Sequence, residues 1–197
     1  QSRAIANYAE DVAGLSREEY EQLLEQAKSY NVRLSAVGSN WKLSQEELNQ
    51  YNEILNINKN GMMGYIEIPK IQCSLPIYHS TDEAVLQRNV GHLPGSSLPV
   101  GGESTHSVLS GHRGLPSAKL FSDLDKVETG DKFIIRVLNE TLTYEVDQIL
   151  IVLPNEMDAL NIEEGKDLCT LVTCTPYGVN SHRLLVRGHR VENDATT

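Results

Sequence analysis

The chain has 197 residues, of which 22% are charged and 40% hydrophobic, as is ordinary for a globular protein with one hydrophobic core. Its 27 acidic and 17 basic side chains give a formal net charge of −10, which argues against nucleic acid or an anionic lipid surface as the main partner. Its three cysteines are an odd number and do not form a closed disulfide framework, and no run of 18 apolar residues predicts a membrane span.

Capping boxes predict two helices in the N-terminal part of the chain. Ser16-Arg-Glu-Glu19 begins one of them, and the apolar residues that follow at helical spacing predict a helix over about residues 16–30. Ser44-Gln-Glu-Glu47 begins a second helix, which we expect to end near Asn56. Residues 4–12 are expected to be helical as well.

The stretch between these helices is predicted to be a loop. Residues 32–43 show no clear periodicity and contain Gly38, Ser39 and Asn40, which are residue types common in turns. Trp41, the only tryptophan of the chain, lies in the same stretch. A hydrophobic side chain at this point can serve as an anchor for the following helix.

From Gly64 onward, short β-type runs alternate with Gly, Pro and Asn, which predicts a closed or nearly closed barrel. Ser80-Thr-Asp-Glu83 predicts the start of a brief helix toward Val90, and Asn139-Glu140 predicts a hairpin turn. Seven strands are expected, over Gly64–Ile68, Leu75–Tyr78, Ser107–Ser110, Lys132–Leu138, Leu142–Val152, Cys169–Cys174 and Arg183–Arg190.

Two of these strands bring together residue types suited to nucleophilic catalysis. Cys174 ends an apolar run, a Pro-Tyr-Gly turn follows, and Arg183 opens the next run. A permanent positive charge beside a thiol favours the thiolate, which is the nucleophilic form. Cys73 and Cys169 lie among apolar or β-forming residues, which is typical of small buried side chains.

The best candidate for a proton-transfer partner is His112, in the segment Val108-Leu-Ser-Gly-His-Arg-Gly114. His92 also follows a glycine, and His182 adjoins Arg183, so both compete with it. The neighbouring Arg113 is expected to be solvated or structural rather than catalytic.

Five motifs in order resemble the class C, or pilus-assembling, sortases. They are Gly64-Tyr-Ile-Glu-Ile-Pro-Lys-Ile71, Leu75-Pro-Ile-Tyr-His79, Gly91-His-Leu-Pro-Gly-Ser-Ser-Leu-Pro-Val-Gly-Gly102, Gly111-His-Arg-Gly-Leu-Pro-Ser-Ala-Lys-Leu-Phe121 and Thr170-Leu-Val-Thr-Cys-Thr-Pro-Tyr-Gly178. The likeness is dense over roughly residues 60–192 and looser before them. It implies a mostly β fold, an eight-stranded sortase barrel with N-terminal helices and short connecting helices.

The resemblance also implies a division of the chain. Residues 1–60 would form an N-terminal helical segment with a lid loop over about residues 32–43, residues 61–192 the catalytic barrel, and residues 193–197 a tail. A class C lid usually carries Asp-Pro and an aromatic residue, and the acid faces the catalytic arginine. Here the counterpart is Ser39-Asn-Trp41, which keeps only the aromatic ring. We therefore expect a lid that is held without a carboxylate–arginine pair, and so loosely.

The resemblance implies a cysteine transpeptidase in which Cys174 is the nucleophile, His112 the acid and base, and Arg183 the donor to the substrate carbonyl or oxyanion. The enzyme would cleave an LPxTG-like sorting signal between Thr and Gly and pass the thioacyl group to a lysine amine of a second pilin. It would need no cofactor and no metal. It would act on the extracellular face of a Gram-positive cell membrane, which it would contact only through anchors outside this chain.

Three alternatives remain open on the sequence. A wall-anchoring sortase would use a peptidoglycan precursor amine as its acceptor. A hydrolytic cysteine peptidase would share the first chemical step and use water in the second. A catalytically idle binding or scaffolding module could also use the same barrel, although the presence of all three site residues argues against it.

Overall fold

A computed structural model of the protein describes residues 1–114 and 119–194. Residues 115–118, inside the fourth sequence motif, and residues 195–197, in the expected tail, lie outside the described part. The centre of the fold is a closed barrel of eight strands, with the neighbour order β1-β2-β3-β4-β7-β8-β6-β5. The predicted fold class, an eight-stranded barrel with N-terminal and connecting helices, is confirmed.

Three helices precede the barrel, and both predicted capping boxes are formed. In each box the serine hydroxyl accepts from the backbone N–H three residues on, and that residue's carboxylate accepts from the serine N–H. The helices are α1 (Ser2–Ala13), α2 (Arg17–Val37) and α3 (Gln45–Glu53), the last ending slightly before its predicted end.

The helix α2 is longer than predicted, so the first half of the expected loop 32–43 is helical. Its outward-facing Val32 is 68% exposed and breaks the apolar periodicity that the prediction relied on. A polar residue holds this part of α2 to the barrel instead. The amide of Asn31 donates to the Leu98 carbonyl at 3.0 Å and accepts from the Leu98 N–H at 2.7 Å. The connection between α2 and α3 shrinks to residues 38–44, here called the connecting segment.

All seven predicted strands are present, and an eighth, β3, was not predicted because it has only three residues. The strands are β1 (Met62–Ile68), β2 (Cys73–His79), β3 (Val90–His92), β4 (Thr105–Ser110), β5 (Lys132–Val137), β6 (Glu140–Val152), β7 (Asp167–Thr175) and β8 (His182–Val191). The predicted brief helix is α4 (Glu83–Leu86).

The hairpin between β5 and β6 turns one residue earlier than predicted. Val137 pairs with Glu140, so the turn residues are Leu138 and Asn139, and Leu138 has a φ of 54°. Two tyrosines from the N-terminal helices hold this turn: the Tyr8 hydroxyl accepts from the Leu138 N–H, and the Tyr20 hydroxyl from the Asn139 N–H. These long-range contacts override the local preference.

The two faces of the barrel wall have different roles. Alternate residues of β7, such as Cys169 and Leu171, point into the main core, while Val172 packs on the outside with a second apolar cluster. This outer cluster, here called the outer-face cluster, has buried Val108, Leu160 and Leu185 at its centre. Cys174 shares the face of Val172, because the two residues are two positions apart on one strand.

Candidate active site

Cys174 and Arg183 are direct partners across the antiparallel strands β7 and β8. Side chains of directly opposite residues leave the sheet on the same face, so those of Cys174 and Arg183 begin next to each other. Cys174 is partly exposed, as a nucleophile must be, and it is a free cysteine. By contrast, burial raises the pKa of the Cys73 thiol to about 12 and that of the Cys169 thiol well above its ordinary value. These two cysteines therefore lack a thiolate near neutral pH.

His112 follows β4, which pairs in parallel with β7 on the side opposite to β8. Ser110 is level with Val172 in this pairing, and the Gly111 N–H donates to the Val172 carbonyl at 3.0 Å. His112 follows two residues past the end of β4, and Cys174 lies two residues past Val172 near the end of β7. The strands β4, β7 and β8 are neighbours in the barrel, so the chain positions of the three sequence-predicted residues form a row at one end of it. His112 comes just after β4, Cys174 near the end of β7 and Arg183 near the start of β8.

The imidazole of His112 has a carboxylate partner that the sequence reasoning did not assign. Its Nε2 lies 3.0 Å from Oε1 of Glu83, the first residue of α4. The same Glu83 oxygen accepts from the Gln87 amide at 2.7 Å. In the sequence, Glu83 is part of the Ser80-Thr-Asp-Glu83 pattern, which predicts the start of a helix but no contact with His112. The Glu83 side chain is 66% exposed, so the contact is a surface ion pair when the imidazole is charged.

The two rival histidines take other roles. His92 is fully buried, and burial lowers its pKa to about 3, so the ring is neutral. Its Nε2 donates to the Ser97 carbonyl at 2.7 Å, and its Nδ1 therefore accepts from the Tyr51 hydroxyl at 2.7 Å. His182 is adjacent to Arg183 on β8, so its side chain points to the opposite face of the strand.

Arg183 keeps donors free for a ligand. Its Nη1 donates to the carbonyls of Asn180 at 3.2 Å and His182 at 3.0 Å, which anchors the guanidinium to the loop before β8. Within residues 1–114 and 119–194 no carboxylate pairs with it. A guanidinium has five N–H groups, so the remaining ones can meet a carbonyl oxygen or an oxyanion.

The outer-face cluster continues from this row of three. Around its three buried centres pack the partly buried apolar residues Trp41, Leu93, Leu150, Val152, Met157, Ala159 and Val172. Val152 is directly opposite Arg183 on β6. An apolar surface therefore adjoins a thiol and a free cation, which suits a peptide with apolar side chains.

The connecting segment 38–44 lies over this surface. Trp41 packs on the outer-face cluster, and the Asn40 N–H donates to the Gly95 carbonyl at 3.3 Å. Gly95 has a φ of 95°, and a Cβ at this position would collide with the Asn40 carbonyl oxygen, so the two backbones touch. The Asn40 side chain turns back to accept from the Lys42 N–H at 3.1 Å.

No group of three or more His, Cys, Asp or Glu side chains in the described part of the chain is placed to hold a metal ion. None of the helices described is both long enough and apolar enough to cross a bilayer.

The sequence matches the family model of the sortase domain over residues 66–191. Sortase D of Bacillus subtilis is 33% identical over 131 residues, which cover 65% of this chain and 63% of that protein. The chain thus spans somewhat less than two thirds of the length of that curated relative.

Solved structures extend the match to nearly the whole chain. Sortase C1 from Streptococcus agalactiae is 56% identical with a TM-score of 0.95, covering 98% of this chain and 100% of that one. Sortase C from Clostridium perfringens, solved with the C-terminal cell wall sorting motif, is 44% identical with a TM-score of 0.86, covering 98% and 100%. The family match and these class C neighbours agree with the row of cysteine, histidine and arginine at the barrel end: the chain belongs to the sortases, a family of Gram-positive cell-surface cysteine transpeptidases.

Proposed function

We propose that this protein is a pilin-polymerising sortase. It cleaves an LPxTG-like sorting signal between Thr and Gly and joins the new carboxyl end to a lysine amine of a second pilin. The observation that supports the proposal is the order of the neighbouring strands β4, β7 and β8, at one end of which the chain has His112, Cys174 and Arg183. The class C identity of the structural neighbours supports pilins as substrates.

The chemistry follows from that row. The Cys174 thiolate attacks the threonine carbonyl carbon, and the free N–H groups of Arg183 stabilise the oxyanion. The tetrahedral intermediate collapses, the C–N bond breaks, and the glycine amine leaves with a proton from His112. His112 then takes a proton from the incoming lysine amine. That amine attacks the thioester, an isopeptide bond forms, and the thiolate is released.

The outer-face cluster supplies the binding energy for the apolar part of the signal. Burial of one leucine-sized side chain contributes about 1.5–3 kcal/mol. The leucine and proline of the signal can cover the surface around Leu185 and Val172, next to the thiol. Binding in this way puts the threonine carbonyl of the signal at Cys174.

We further propose that Ser39, Asn40 and Trp41 form a lid that must leave before the signal binds. Trp41 covers the surface that the signal needs. Its neighbour Asn40 donates one backbone hydrogen bond to the Gly95 carbonyl, and the packing of Trp41 on the outer-face cluster is apolar. The absence of an ion pair from Arg183 to any described residue fits a lid that opens readily. Trp41→Ala should expose Cys174 to a thiol reagent, and an unchanged rate of modification would contradict the lid.

The decisive experiment is mass spectrometry of the protein incubated with an LPxTG-type peptide. The wild type should gain a covalent acyl group through threonine, and Cys174→Ala should gain none. Incubation with pilin subunits should then give covalent ladders. If only water releases the acyl group from Cys174, or if a peptidoglycan-type amine releases it and pilin lysine does not, then pilin lysine is not the acceptor. We place the reaction on the extracellular face of the cell, where the family works.

A further inference from the structure

Arg113 is almost fully buried although it directly follows the candidate catalytic histidine on the chain. Its side chain is only 6% exposed, against 92% for the surface residue Arg17. Burial of a guanidinium is costly unless each part of it is matched by a partner. The partners of the Arg113 guanidinium therefore show why the fold buries a charged side chain at this position.

The guanidinium of Arg113 is shared between two segments that are distant in sequence. On one side, Nε donates to the Ser122 carbonyl at 3.2 Å, and Nη2 pairs with the Asp125 carboxylate at 3.0 Å. On the other side, Nη1 donates to the Thr175 hydroxyl at 3.2 Å and, at a longer 3.4 Å, to the carbonyl of Cys174 itself. One planar group thus joins the segment after β4, the turn at residues 122–125 and the end of β7.

The aromatic ring of Tyr177 covers the remaining face of this guanidinium. The Arg113 Cζ lies 5.4 Å from the centre of the ring, a cation–π distance. Gly114 has a φ of 78°, and a Cβ there would lie 3.3 Å from the same ring, so the glycine leaves room for it. The loop that follows Cys174 is in this way packed against the loop that follows His112.

We infer that Arg113 is a positioning residue, whose guanidinium fork holds the backbone of Cys174 in place relative to His112. The regular pairing of β4 with β7 ends at Ser110, before the histidine, so the relative position of the two reacting groups needs further support. The Asp125 carboxylate offsets the charge of Arg113, whereas Arg183 has no carboxylate partner among residues 1–114 and 119–194. Arg113 acts on the carbonyl side of Cys174 and touches no reacting atom. This inference rests on the proposed roles of His112 and Cys174.

The test compares Arg113→Lys and Arg113→Gln with the wild type. Lysine keeps the charge of Arg113 but not its planar fork of donors, and glutamine keeps neither. Both variants should therefore lose at least ten-fold in kcat with an LPxTG-type peptide, while KM changes by less than three-fold. The pH profile of Cys174 alkylation by iodoacetamide should move in both. Arg187→Gln is the matched control, because Arg187 is 16% exposed and pairs with Asp147 and Glu163. Its kcat should stay within two-fold of the wild type.

Thermal unfolding shows whether a lower kcat in the Arg113 variants comes from a failure to fold. If the Arg113 variants do not fold, Thr175→Val replaces them, because it removes one hydrogen bond of Arg113 at nearly constant volume. It should lower kcat several-fold at an unchanged melting temperature. A folded Arg113→Lys at the wild-type kcat, or a Thr175→Val at the wild-type kcat, would overturn the inference. A wild type that forms no acyl adduct would instead refute the proposed function, so the two failures are distinguishable.

Discussion

Glu83 touches the imidazole of His112 through a single hydrogen bond and is two-thirds exposed. Exposed ion pairs of this kind contribute about 0–1 kcal/mol, so Glu83→Gln should lower kcat by less than about five-fold. His112→Ala removes the proton carrier itself and should cost roughly 10²–10⁴-fold. Steady-state kinetics with an LPxTG-type peptide measures both, with Glu18→Gln on the surface of α2 as control. A loss in Glu83→Gln as large as that in His112→Ala would make the carboxylate an essential orienting group.

The sequence nominates candidates for the reacting groups but not the residues that contact them. Cys174, His112 and Arg183 each stand at the end of a strand beside a turn signal, and the family motifs include them. The partners of His112 and Arg113 do not follow from any local pattern. Glu83 is 29 positions from His112, and Thr175 is 62 from Arg113. Only the closure of the barrel brings them together.

The contact between the connecting segment and Gly95 can be tested by a substitution that adds a single methyl group. Gly95→Ala would push the added Cβ into the Asn40 backbone, whereas Gly130, with nearly the same φ of 96°, has open space around it. Both substitutions carry backbone strain of roughly 1–2 kcal/mol. Only Gly95→Ala should also displace Trp41, speed the alkylation of Cys174 several-fold and change the tryptophan fluorescence. Equal alkylation rates in Gly95→Ala and Gly130→Ala would show that this contact does not shield the thiol.

Elements with a strong local signal were predicted well, and those set by distant contacts were not. Two capping boxes fixed where α2 and α3 begin, because the signal and the hydrogen bonds lie within four residues. The last turns of α2 were missed, since they depend on the bonds between Asn31 and Leu98. The strand β3 was missed for a similar reason: its short run exists only because β2 and β4 flank it.

At the scale of the whole molecule, the same barrel that presents His112 to solvent buries His92 in a neutral state. An unfolded histidine titrates near pH 6.5, and burial lowers the pKa of His92 to about 3 in the folded protein. The unfolded chain therefore binds this proton first, so stability is full above about pH 6.5 and falls as the pH drops toward 3. One pKa unit corresponds to about 1.4 kcal/mol, so the loss amounts to several kcal/mol. His106, whose pKa burial also lowers, adds to it in the same direction.

Thermal unfolding between pH 7.5 and pH 4.5 tests this prediction with two histidine variants. His92→Gln should unfold at a lower temperature than the wild type at pH 7.5, because the bonds to Tyr51 and Ser97 are disturbed. Its melting temperature should then fall less between the two pH values, since the buried group that takes up a proton is gone. His189→Gln, at a half-exposed histidine paired with Asp147, is the surface control, because it leaves the buried ring of His92 in place. Asp123 and Asp147 have pKa values below their ordinary 3.8, so most of the stability that they contribute is lost below the pH range of this test. A His92→Gln protein with the full wild-type pH slope would mean that the acid sensitivity of the barrel arises elsewhere.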